Sequence, residues 1–183
     1  LSKEAYQGAF AIGDDFIFLS DKTDLMALRR RDGSVAWQAT LAVEPNNSCE
    51  RCLRAIGQQV AVLEKDSTVE VFDAQSGKPA WSTRLKQNPY GGLTVAGDRL
   101  VVLEEGEGKD PTFMNFLDPA TGKVALQIEP KCPAAHPGFD AERPDSSSSM
   151  LFSDDGTSMV ILFGFFAHCA QSWDLRSGTK LWE

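Results

Sequence analysis

The side chains with the widest chemical repertoire in this sequence are four cysteines, Cys49, Cys52, Cys132 and Cys169, and two histidines, His136 and His168. Cys49 and Cys52 form "CERC", the two-residue spacing of half a zinc knuckle, and tetrahedral zinc would take Cys132 and Cys169 as its remaining thiolates. The competing chemistry is oxidation, since an even set of cysteines also makes two disulfides that tie loops together in an oxidising compartment. No second Cys-x2-Cys completes a zinc module, and 80 residues separate Cys52 from Cys132. One or two disulfides are therefore the expected state, with zinc or free thiols as the alternatives. A redox-active "CERC" lacks the strand-into-helix setting of a thioredoxin motif.

Other catalytic chemistries find little support, and no catalytic residue is assigned. His136 and His168 lie in loop contexts, where solvent or local hydrogen bonds account for them without a neighbouring nucleophile. The run "EEGEGKD" at 104–110 is acidic, unlike a phosphate-cradling glycine loop. Neither it nor "FDAERPDSSSS" has the regular Asp spacing of a calcium loop. Both read as solvated connections.

A net charge of -8 repels phosphate backbones, and the basic run at Arg29, Arg30 and Arg31 is too short to reverse it. Nucleic acid is not an expected partner. The longest apolar run, "SMVILFGFFA" at 158–167, is about half the roughly 20 residues of a spanning helix, so no membrane span is expected. Leu1 opens the sequence with no signal-peptide pattern; any such peptide is expected to be removed or to lie outside this stretch.

The elements that must position these residues announce themselves through repetition. Gly33-x3-Trp37, Gly77-x3-Trp81, Gly122-x3-Leu126 and Gly178-x3-Trp182 recur at spacings of 44, 45 and 56 residues. The excess in the last spacing sits in "KCPAAHPGFDAERPDSSSS", a loop by its Pro, Ser and charge content. Three of the glycines follow an aspartate by four positions, at Asp73, Asp118 and Asp174, with Arg29 in that place in the first copy. An Asp opening such a turn accepts hydrogen bonds from N–H groups further along it, and the glycine supplies the positive φ that closes it.

Before each glycine lie three short runs that alternate or are fully apolar, such as "LRAIG", "QVAVLE" and "TVEVFD", and one run follows it. Four antiparallel strands per 40–45 residues specify a propeller blade. The fold expected is all-β, with repeats at 8–44, 50–88, 90–130 and 148–183 and an inserted loop at 131–147. Trp37, Trp81 and Trp182 are expected to fill the gaps between neighbouring blades. On this topology all four cysteines and both histidines fall at one end of the blades, where inter-blade connections and second-to-third strand loops lie.

The pattern "AGDRLVVL…FLDPATGKV" with its Gly-x3-Trp phrase resembles the repeat of the pyrroloquinoline-quinone-type, quinoprotein alcohol dehydrogenase-like propellers, over nearly the whole chain. "QSWDLRSG" is also similar to a WD repeat, but Trp-Asp occurs only once and no Gly-His pair opens a repeat. The quinoprotein-type resemblance implies a ring of seven or eight blades, with these four as a segment, and a closed ring of four as the lesser alternative. It includes quinone-dependent dehydrogenases, an outer-membrane assembly lipoprotein and many extracytoplasmic proteins without cofactor. For a dehydrogenase it implies an adjacent cysteine pair and calcium-binding carboxylates; no two cysteines are adjacent here, so the quinone is not expected. The expected role is a non-catalytic scaffold, extracytoplasmic, whose loop-rich, cysteine-bearing face binds a protein partner or positions other domains; the expected partners are a protein or further propeller blades. The alternative is a fragment of a quinone-dependent oxidoreductase.

Overall fold

The computed structural model describes residues 8–46, 51–106, 111–132, 149–163 and 169–183, and among them every regular element is a strand. The strands form four sheets, each of four antiparallel strands in chain order. The first holds β1 (Ala9–Ile12), β2 (Phe16–Asp21), β3 (Asp24–Arg29) and β4 (Val35–Thr40), and the second β5 (Leu53–Ile56), β6 (Gln59–Leu63), β7 (Thr68–Asp73) and β8 (Pro79–Arg84). The third holds β9 (Asn88–Ala96), β10 (Arg99–Glu105), β11 (Phe113–Leu117) and β12 (Val124–Ile128). The fourth holds β13 (Ser149–Phe152), β14 (Ser158–Leu162), β15 (Ala170–Asp174) and β16 (Thr179–Trp182). This is the blade architecture of a propeller, and no helix among the described residues is long and apolar enough to cross a membrane.

The apolar runs follow from sheets that are covered on both faces. Along β6, Val60 and Val62 join the cluster shared with the first sheet, while Ala61 and Leu63 join the cluster shared with the third. Along β10, Leu100 and Val102 point back to the second sheet, whereas Val101 and Leu103 point on to the fourth. Successive side chains of a strand leave opposite faces, so a strand buried on both sides must be apolar throughout. The core is thus three layers between four sheets, and each fully buried Val or Leu adds about 1.5–3 kcal/mol.

The repeated turn does two jobs. In the second blade the Ser76 N–H donates to Asp73 Oδ1 at 2.8 Å and the Ser76 hydroxyl donates to the same oxygen at 2.6 Å. The Gly77 N–H reaches back to the Asp73 carbonyl at 2.9 Å, with Gly77 at φ 68°. Asp118 and Asp174 accept the N–H two residues on at 2.9 and 2.8 Å. The second job concerns space. The Trp37 ring lies over Gly77, where a Cβ would come within 2.6 Å of it, and the Trp81 ring lies over Gly122, where the distance would be 2.3 Å. Each indole Nε1–H donates into the next blade's turn, Trp37 to the Ala74 carbonyl at 2.8 Å and Trp81 to the Pro119 carbonyl at 2.6 Å. Leu126 takes the same seat over Gly178, without an N–H to donate.

Trp182, expected between neighbouring blades, is 51% exposed on the last of these four. Among the described residues nothing lies within 4 Å of the Cβ position of Gly33. A ring closed by four blades would seat Trp182 on Gly33, so these four sheets form an open arc and the alternative of a closed four-bladed ring does not hold within one chain.

Candidate functional site

The connections that run from the fourth strand of one blade to the first of the next share an end with the second-to-third strand loops, and two buried carboxylates hold them. Glu64 follows β6 and is 2% exposed. Its Oε1 accepts the N–H of Val43, in the connection between β4 and β5, at 3.2 Å. Backbone bonds join the same pieces: Asn46 N–H to the Leu63 carbonyl at 3.0 Å and Lys65 N–H to the Glu44 carbonyl at 3.0 Å. At the matching place in the third blade, Glu104 Oε2 accepts the N–H groups of Lys86 and Gln87 at 2.8 and 2.7 Å. Its other oxygen takes the Asn115 amide, and Asn115 Oδ1 accepts from Gln127 at 2.8 Å. In the fourth blade Gln171 donates to the Lys131 carbonyl at 2.7 Å. Each device fixes a connection that backbone pairing alone leaves half satisfied.

These carboxylates escaped the reading of the sequence. The signal that would have found them is the shared ending "VLE" of "QVAVLE" and "RLVVLE", which puts a glutamate at one register in two blades.

Burial pushes the Glu64 carboxyl up to about 7, with the negative charges of Glu70 and Asp66 adding to the shift against the Val43 N–H, which lowers it. Burial raises Glu70 as well. Because the folded value of Glu64 lies above its unfolded value near 4.5, its contribution to stability is full below that pH and is lost as pH rises through about 7. Glu64→Gln keeps an oxygen for the Val43 N–H and removes the charge. It is expected to match the parent at pH 5 and to exceed it by about 1–2 kcal/mol at pH 8, read from denaturant melts at the two pH values. An equal difference at both would show that charge is not involved.

The structure joins Cys132 and Cys169 in a disulfide with Cα atoms 6.2 Å apart. Cys132 follows β12 in the connection towards the fourth blade, and Cys169 stands just before β15. Cys52 is disulfide-bonded too, and Cys49 lies outside the described residues, as do His136, His168, most of the inserted loop and residues 107–110. A disulfide sulfur offers a metal no thiolate, so Cys52, Cys132 and Cys169 are cross-linked here rather than zinc ligands or free thiols. Among the described residues no three His, Cys, Asp or Glu side chains converge as metal ligands.

The Cys132–Cys169 bond spans 37 residues, and closing a loop of that length is worth about 2–4 kcal/mol in the chain-entropy account. The double variant Cys132→Ser with Cys169→Ser is expected to lose that amount in urea denaturation under oxidising conditions. A loss below about 0.5 kcal/mol would mean that the reduced, unfolded chain already keeps these two ends near each other.

Comparison with known proteins gives the family described as outer membrane protein assembly factor BamB, matched over residues 65–183. No curated protein sequence matches. Among solved structures, BamB from Moraxella catarrhalis overlays with a TM-score of 0.62 at 16% identity, covering 95% of this chain and 51% of that one. A quinohemoprotein alcohol dehydrogenase from Pseudomonas putida HK5 gives 0.60 at 17%, covering 98% and 34%. The Pan2 WD40 domain of Neurospora crassa gives 0.57 at 13%, covering 94% and 49%. At these identities the overlays speak for the propeller fold alone, and the chain spans a third to a half of the structures it resembles.

Proposed function

Because the chain belongs to the BamB family of outer membrane protein assembly factors, we propose that it is a non-catalytic propeller scaffold serving outer-membrane protein assembly outside the cytoplasm. In this reading it binds a protein partner through the connector end that carries Cys132–Cys169. The family match over residues 65–183 carries the proposal. Two features support it: the disulfides suit an oxidising compartment, and the connections are held by buried carboxylates, which gives a partner a preorganised surface.

Deleting the gene in its host should lower the yield of folded outer-membrane proteins, and the parent gene should restore it. Lys65 and Lys131 are exposed at the connector end. A variant carrying Lys65→Glu and Lys131→Glu gives up exposed ion pairs to Glu44 and Glu129, each worth at most about 1 kcal/mol, so it should still fold and restore less, because rim charges govern encounter more than folding. An unchanged outer-membrane profile on deletion would overturn the proposal. So would a bound chromophore and alcohol turnover on adding pyrroloquinoline quinone and calcium to the purified protein.

A further inference from the structure

Glu64 in the second blade and Glu104 in the third hold matching connections, but with different neighbours. Val62 pairs with Glu70 and Val102 with Asn115. Each glutamate stands two residues past its valine, on the same face of the strand. The third strand therefore offers Glu104 an amide and offers Glu64 a second carboxyl. Asn115 donates to Glu104 and accepts in turn from Gln127, a relay that is complete with Glu104 ionised. Opposite Glu70 stands Ser82.

Glu64 and Glu70 are hydrogen-bonded to each other through their side chains. An ionised carboxylate only accepts, so this bond exists only while one of the two holds a proton. Burial first, then the negative charges of Glu70 and Asp66, favour the protonated form of Glu64 against the Val43 N–H. The cations of this corner are engaged elsewhere: Lys65 pairs with Glu44 of the connection and Arg84 of β8 with Asp66 of the β6–β7 turn. Lys22, from the β2–β3 turn, acts on Glu44. Glu70 Oε2 is buried with no partner among the described residues. Two ionised carboxylates at this place would repel each other out of reach of water. The least costly escape is for the Glu64 side chain to swing out and let go of the Val43 N–H that it holds at 3.2 Å.

We propose that a proton shared by Glu64 and Glu70 latches the connection between the first and second blades, and that its loss in alkaline medium loosens this connection while the one held by Glu104 stays closed. Because the Glu64 carboxyl lies at about 7 in the fold against 4.5 ordinarily, the latch is complete below about pH 4.5 and is lost as pH rises through about 7. The end of the blades that carries Cys132–Cys169 therefore has one connection that responds to pH and one that does not, and the difference lies in a single third-strand residue.

Amide hydrogen exchange of the 183-residue chain reads each connection separately. The protection factor of Val43, which already corrects for the intrinsic rise of exchange with pH, should fall at least roughly 10-fold between pH 5 and pH 8, as release of one bound proton requires. Lys86 and Gln87, whose N–H groups Glu104 accepts, should keep theirs. Glu70→Gln places an amide where the third blade has Asn115 and should make Val43 as indifferent to pH as Lys86. A Val43 protection factor that is level from pH 5 to pH 8, a parallel fall at all three amides, or a dependence that survives Glu70→Gln would each overturn the latch.

Discussion

Trp81→Ala lowers the unfolding free energy by about 3–4 kcal/mol, the range for an aromatic removed from a packed interior. Three losses add. The ring leaves its place over Gly122, its apolar surface no longer covers the cluster between the second and third blades, and the Pro119 carbonyl loses the indole N–H that reaches it at 2.6 Å. Trp81→Phe separates them, because phenylalanine keeps an aromatic face over the glycine and gives up the donor. Its expected loss is about 1–2 kcal/mol, the cost of one unmade hydrogen bond. Denaturant melts followed by far-ultraviolet circular dichroism read both variants. A loss under about 1 kcal/mol for Trp81→Ala would show that the ring does not couple the blades.

Gly122→Val is expected to cost more, about 4 kcal/mol or enough to prevent folding. The backbone there holds φ at 69°, a strain of about 1–3 kcal/mol for a β-branched residue. The new Cβ would also lie 2.3 Å from the Trp81 ring and 2.6 Å from Thr83 Oγ1, and overpacking of this kind adds about 1–3 kcal/mol. The two parts separate in a double-mutant cycle. Combined with Trp81→Ala, the valine keeps its backbone strain and loses its clash with the ring, so the pair should show a favourable coupling of about 1–3 kcal/mol. Strict additivity would mean that the glycine serves the turn alone.

The strands and turns were legible because two independent signals coincide in them: short apolar runs of strand length and an Asp-x3-Gly turn at a fixed interval. The second reason for the glycines was not, since a ring pressed against a Cα leaves the same residue in the sequence as a left-handed turn does. Cysteine pairing was also beyond reach, because four cysteines allow three pairings and only the fold brings Cys132 within 6.2 Å of Cys169. Glu64 and Glu104 read as ordinary charges at strand ends; their burial depends on connections arriving from the preceding blade, more than fifteen residues away. Trp182 shows the converse. Its phrase matches Trp37 and Trp81, but burial belongs to a pair of surfaces, and the described residues supply only one of them.

In a linear array, how far one unit's fate is shared by the next depends on the coupling at each boundary. The boundary between the third and fourth blades is the one where leucine stands in for tryptophan and the indole hydrogen bond is missing. It is also the boundary bridged by Cys132–Cys169, with an edge-on contact between Phe116 and Phe152 and a bond from Arg99 to the Leu175 carbonyl beside it. Coupling that is aromatic elsewhere is partly covalent here, and therefore depends on redox state. Oxidised, the array is joined at every boundary and loses its structure as one body. Reduced, its weakest boundary is a known one, and the fourth blade becomes the segment that exchanges its amide hydrogens and meets a protease first.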